Sequence, residues 1–182
     1  MAMSSGEVWE ELARRRDADL IARVSPQAIE FSTFMSLFVW VKAQLEESAH
    51  PTCDVASIVR CQTPRSNEGR GVILCGQRES SFYVRSDGLR CVFEWNLIEL
   101  DRERLRWDSY GFHVDCPSEG AAGPSFLRWE YRPTRKSGVT AVAEPLSHLH
   151  PGTQRYRVPS PVLSPRELIS MFLSMPPRED WR

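Results

Sequence analysis

Hydrophobic positions along the chain change period twice. Between residues 34 and 45, Phe34, Leu37, Phe38, Val41 and Leu45 recur every three or four positions, the spacing that lines one side of an α-helix. Phe31, Met35 and Trp40 widen that side and predict a helix covered on more than one face. Its start is predicted at Ser25-Pro26, with Ser as the cap and Pro at the first helical position, where a missing amide costs nothing. Its end falls near His50-Pro51. An earlier helix is predicted from Ser4-x-x-Glu7, a capping box in which each side chain satisfies a free amide of the first turn. The run Arg14-Arg15-Arg16-Asp17 reads as the solvated face of that helix.

From Cys53 onward the period becomes two, as in half-buried strands. Leu89, Cys91, Phe93, Trp95 and Leu97 alternate with Arg90, Glu94 and Asn96, making Leu89 to Leu100 the clearest strand. Val55 to Gln62, Gly71 to Cys75, Ser81 to Arg85, Arg104 to Val114 and Phe126 to Arg132 are further strands. Between them lie Asn67-Glu68-Gly69, Ser86-Asp87-Gly88 and Glu119-Gly120-Ala121-Ala122-Gly123, residues that tolerate turn conformations. Short turns between successive strands predict an antiparallel meander. Ser164-Pro165-Arg166-Glu167 then combines a capping box with a first-position Pro, and Pro176-Pro177 ends the helix whose buried face is Leu168, Ile169, Met171, Phe172 and Met175.

These elements predict one α+β domain over residues 1–182, helical over 4–50, sheet over 53–158 and helical again over 164–175. The sheet is expected to be curved and largely antiparallel, with six to seven strands packed by two N-terminal helices and one C-terminal helix. A chain of 182 residues can bury roughly 70 per cent of its unfolded surface without staples.

Composition narrows the function classes. A net charge of -1 gives no global attraction to nucleic acid or an anionic membrane, so such a partner requires a local patch. One exists between residues 128 and 157, where Arg128, Arg132, Arg135, Lys136, Arg155 and Arg157 stand against Glu130 and Glu144. The five cysteines are odd in number, lack a Cys-x-x-Cys pair and read as reduced, buried thiols. Together with an N-terminus lacking a signal pattern, they predict a cytoplasmic protein. The most apolar run, Phe31 to Val41, is far shorter than the roughly 20 residues of a membrane span, so no membrane partner is expected.

Candidate chemistry concentrates in Ser147-His148-Leu149-His150. In an extended chain His148 and His150 share a face, and Arg155 and Arg157 repeat that parity after Pro151-Gly152, with Tyr156 and Val158 opposite. Arg128, Glu130 and Arg132 alternate with Leu127, Trp129 and Tyr131 on the preceding strand. If these strands adjoin, histidine, arginine and a carboxylate share one patch.

Such a patch supports several readings. Two histidines can divide general-base and general-acid roles in phosphodiester cleavage while arginine stabilises the developing charge, with RNA supplying its own nucleophile. His-x-His can instead present two metal ligands, with His113, Cys116 or Asp115 as remote third candidates, but the spacing fits no zinc motif. No metal and no cofactor is therefore expected. A third reading is a binding module in which Arg128, Arg132, Arg155 and Arg157, with Glu130, Tyr131 and Tyr156 nearby, hold RNA, a nucleotide or an acidic protein. A purely fold-supporting polar cluster stands beside all three. His113 reads as a satisfied core histidine and His50 as a helix-end residue that complements the dipole.

The order Leu127-Arg128-Trp129-Glu130-Tyr131, Pro145-Leu146-Ser147-His148-Leu149-His150-Pro151-Gly152, Arg155-Tyr156-Arg157-Val158-Pro159 and Leu163-Ser164-Pro165 resembles small uncharacterised bacterial proteins. It is distantly similar to TumE-type toxins of toxin–antitoxin pairs, over about the last third of the chain. The resemblance implies a toxin–antitoxin or phage-defence role, including a toxin-like, metal-independent ribonuclease centred on His148, His150, Arg128 and Arg157. The alternative is a non-catalytic adaptor or binding subunit of a larger defence complex. The protein partner would be an antitoxin or a larger effector.

Overall fold

The computed structural model describes residues 29, 31–63, 69–76, 81–100, 104–115, 126–132, 147–152 and 157–177. Among these residues two helices precede a sheet and a third closes the chain: α1 (Phe34–Ser48), α2 (Val55–Ile58) and α3 (Pro165–Ser174). The strands are β1 (Val59–Gln62), β2 (Arg70–Cys75), β3 (Tyr83–Val84), β4 (Arg90–Leu100), β5 (Arg104–Asp115), β6 (Phe126–Tyr131), β7 (Ser147–Pro151) and β8 (Val158–Pro159). The architecture is α+β, as the change of period predicts. The helix expected from Ser4 lies outside the described residues.

The sheet runs β1-β2-β4-β5-β6-β7-β8, every neighbour antiparallel, and β3 pairs with β4 beyond the end of β2. β2 and β3 thus occupy one line beside β4, interrupted after Gly76. There φ is +71°, and a Cβ would stand 2.4 Å from the Ser81 carbonyl oxygen, so only glycine lets the chain leave and rejoin the line.

One residue sets the shape of the long central hairpin. Asn96 pairs with Ser109 but Leu97 with Trp107, so Asp108 is an extra residue in β5. This bulge shifts the inward parity from Leu105 and Trp107 to Tyr110, Phe112 and Val114, all of which are buried on the helix side. Opposite them Cys91, Phe93, Trp95 and Leu97 complete the same layer, with Phe93 stacked between Trp95 and Phe112.

α1 begins later than Ser25-Pro26 predicts. Ile29 bridges to Leu105 as extended chain, and the cap is Thr33, whose side chain accepts from the Ser36 amide while Ser36 accepts from the Thr33 amide. Serine in place of the usual acid or amide hides this box from a sequence reading. Phe34, Leu37, Val41 and Leu45 are buried as their spacing predicts, but Met35 is 51% exposed and Val39 60%, so α1 is covered on one face only. Val55–Ile58, expected as the start of a strand, is a single helical turn capped by Asp54, which accepts from the Ala56 and Ser57 amides.

The short strand β3 and Arg85 immediately after it hold the ends of both long helices. The Tyr83 hydroxyl donates to the Leu45 carbonyl at the end of α1. Arg85, 6% exposed, donates to the carbonyls of Phe172, Leu173, Met175 and Pro176 and is anchored by Asp87. The Phe172 carbonyl also accepts from the Met175 amide, and these carbonyls at and just past the end of α3 carry the negative end of its dipole, so a buried guanidinium there serves both hydrogen bonding and charge. The α3 cap is as predicted: Ser164 and Glu167 exchange bonds in a capping box with Pro165 behind it.

Candidate functional site

With α1 and α3 covering the Trp95–Phe112 face, alternation sends the other half of each strand to the opposite face. Register fixes what meets there. Arg128 lies between His113 on β5 and His150 on β7, and Glu130 between Gly111 and His148. Further along the same rows, Val92 pairs with His113, and Glu94 with Gly111. Strands β6 and β7 adjoin, as the candidate patch requires, and β8 pairs antiparallel with β7.

Glu130 is the centre of a buried cluster. One carboxylate oxygen, Oε1, pairs with the Arg128 guanidinium and lies 3.5 Å from that of Arg132. The other, Oε2, is 3.4 Å from His148 Nε2 and 3.6 Å from His150 Nε2. The two imidazoles meet edge to face, centroids 4.8 Å apart. Relative exposures are 7% for Glu130, 2% for His148 and 1% for His150. Two histidines and a carboxylate removed from water hold one another and fix Arg128 against the sheet. Arg132, by contrast, extends outward, with 65% of its side chain exposed.

Beside this cluster lies a cavity of about 450 Å³. Gly111 forms its floor, and a Cβ there would meet nothing within 4 Å. Arg128 and Arg132 stand at one end, Glu94, Asn96 and Ser109 supply further polar groups, and Leu74, Val92 and Phe93 give an apolar wall. Asn96 donates to Glu94 Oε1 at 3.0 Å and to Ser109 Oγ at 3.2 Å, so the polar wall is preorganised. His113 adds an aromatic edge, its ring stacked on Phe126 with centroids 5.1 Å apart. Asn96 also borders a neighbouring groove of about 830 Å³ with Gln62, Arg70, Val72 and Asp108. The two depressions together cross the sheet from β6 to β1.

No family model, curated protein or solved structure matches the chain.

The predicted residues divide by position. His148, His150, Arg128 and Glu130 converge, with Arg132 at the margin. Arg157 is exposed immediately before β8. Tyr131 lies on the opposite, helix-side face, paired with Tyr110 and Ser147. Burial raises the pKa of its hydroxyl. Arg155 and Tyr156 fall outside the described residues.

Sequence reasoning missed the cavity. His113, expected in the core, is half-buried on the polar face, because Phe112 and Val114 hold the inward parity. A glycine inside a strand of otherwise large residues was the available signal for Gly111, since such a residue marks close approach or open space. His50 lies just past the end of α1, its Nδ1 paired with the Thr52 hydroxyl at 2.8 Å and its amide donating to the Val84 carbonyl. Cys75 and Cys91 are buried fillers, and desolvation pushes the Cys91 thiol well above its usual range. Among the described residues no helix is long and apolar enough to cross a membrane.

Proposed function

We propose that the protein is a binding module for a nucleotide unit of single-stranded RNA, seated over Gly111. The observation that carries this reading is the cavity itself: its size falls within the range of about 300–1,000 Å³ typical of ligand pockets, and its lining is chemically graded. Arg128 and Arg132 suit a phosphate, while His113 offers a ring for stacking. Asn96 and Ser109 present donors and acceptors to a base edge. The adjoining groove gives an RNA strand room to continue. RNA as the ligand, and a toxin–antitoxin or phage-defence setting, rest on the resemblance of the last third of the chain to TumE-type toxins.

Binding is favoured over histidine-catalysed cleavage because both imidazoles are turned into the buried cluster, whereas a general acid or base must reach the proton it moves. Cleavage remains the second reading, supported by the convergence of His148, His150 and Arg128 on one carboxylate. The deciding experiment is titration of labelled short RNA into wild type and Gly111→Leu. A leucine enters open space, so the fold is retained and affinity falls by at least about tenfold. Equal affinity in a folded Gly111→Leu protein rejects the cavity as the binding site. Release of cleaved RNA by wild type, abolished in His148→Ala, would select the second reading.

A further inference from the structure

The cluster beside the cavity gathers two imidazoles around one carboxylate oxygen. Both imidazole Nε2 atoms approach the same carboxylate oxygen, at 3.4 and 3.6 Å, beyond the roughly 2.7–3.2 Å of an N–H···O bond. Tetrahedral coordination with bonds of about 2.0–2.2 Å places neighbouring ligand atoms roughly 3.3–3.6 Å apart. Each of Glu130, His148 and His150 offers one ligand atom, and the three atoms lie within 4.8 Å of one another in a buried setting.

We infer that Glu130, His148 and His150 form a binding site for a borderline divalent transition-metal ion, zinc first among them. Two imidazoles with one carboxylate favour Zn²⁺ over Mg²⁺ or Ca²⁺, which prefer all-oxygen shells. The β6–β7 register places His148 directly across from Glu130 and His150 across from Arg128, so backbone pairing sets the separation of the ligands. Arg128 and Arg132 occupy Oε1. They therefore orient the carboxylate from outside the coordination sphere and leave Oε2 to the ion. Three protein ligands leave a fourth position for water or an anion. The inference does not rest on what the cavity binds.

The test uses the full chain after exhaustive chelation. Co²⁺ serves as the optical probe, because four-coordinate Co²⁺ absorbs strongly in the visible where the aqueous ion is nearly colourless. The expected result is saturation at one equivalent, loss of the bands on adding one equivalent of Zn²⁺, and a higher unfolding temperature of the zinc-bound protein. In His148→Gln, zinc affinity falls by at least about 100-fold, while His50→Ala and His113→Ala bind as wild type does. The wild-type spectrum needs no variant, so misfolding of His148→Gln leaves the test decisive. Absence of zinc-displaceable bands in wild type overturns the site, as does unchanged zinc affinity in a folded His148→Gln protein.

Discussion

His148 stands directly across the β6–β7 ladder from Glu130, its Nε2 3.4 Å from the carboxylate that also pairs with Arg128. Two adjacent strands thereby share one buried anion. The arrangement explains how a face made of histidine, arginine and glutamate can be buried: Arg128 finds its carboxylate two residues along its own strand, and the two histidines approach the same carboxylate from the neighbouring one.

Removing that anion has a calculable consequence. Glu130→Ala leaves the Arg128 guanidinium, only 14% exposed, without its carboxylate. Breaking a buried pair in this way costs about 3–5 kcal/mol. Urea unfolding should show that loss. Glu130→Gln, which keeps the shape and an acceptor, should lose less, and an Ala variant as stable as wild type would contradict the role assigned to the pair.

Arg85 provides an independent test in a different part of the fold. Its guanidinium serves the C-terminal end of α3, 87 to 91 residues away in sequence. Arg85→Met keeps much of the aliphatic stem but strands those carbonyls and Asp87, for an expected loss of about 3 kcal/mol or more. Hydrogen exchange should rise most at the α3 amides. Exchange that rises evenly over the chain would separate Arg85 from α3.

The same contact predicts an acid dependence. The Arg85 bond, assisted by the Leu89 amide, lowers the Asp87 carboxyl below its usual range. A depressed folded-state pKa stabilises the protein fully above the unfolded value, near about 4, and that contribution is lost as pH falls through the folded value. Asp87→Asn should therefore lower stability at neutral pH and flatten its decline below about pH 4. An unchanged acid limb in the variant would assign the decline to other carboxylates.

Gly111 should be replaceable without strain. It sits within β5 with open space where a Cβ would project, and glycine in a strand is worse than alanine by roughly 0.5–1 kcal/mol. Gly111→Ala should therefore raise the thermal midpoint slightly while weakening RNA binding. A lowered midpoint would mean that the space over the floor is filled by protein.

Much of this was legible in the sequence because it depends on local parity. Leu89 to Leu97 showed its strand, Ser164-Pro165-Arg166-Glu167 its helix start, and the parity of Arg128, Glu130, His148 and His150 their common face. Long-range and irregular features were not legible. The Thr33 cap uses Ser36 in place of an acid, and Asp108 reverses the parity of β5 in a single residue. Arg85 finds its partners only after the sheet has brought α3 above it. Glu130 was visible as a member of the patch, yet the two-sided division of its carboxylate between arginines and histidines requires the β6–β7 register. The cavity depends on which strand neighbours Gly111, and periodicity alone does not supply that.

The most direct measurement of the central claim is mapping of backbone amide shifts on adding a short single-stranded RNA. The account predicts saturable changes concentrated at Asn96, Ser109, Gly111, His113, Arg128 and Arg132. Saturable changes confined to the exposed face of α1, or to any surface away from those residues, would contradict it.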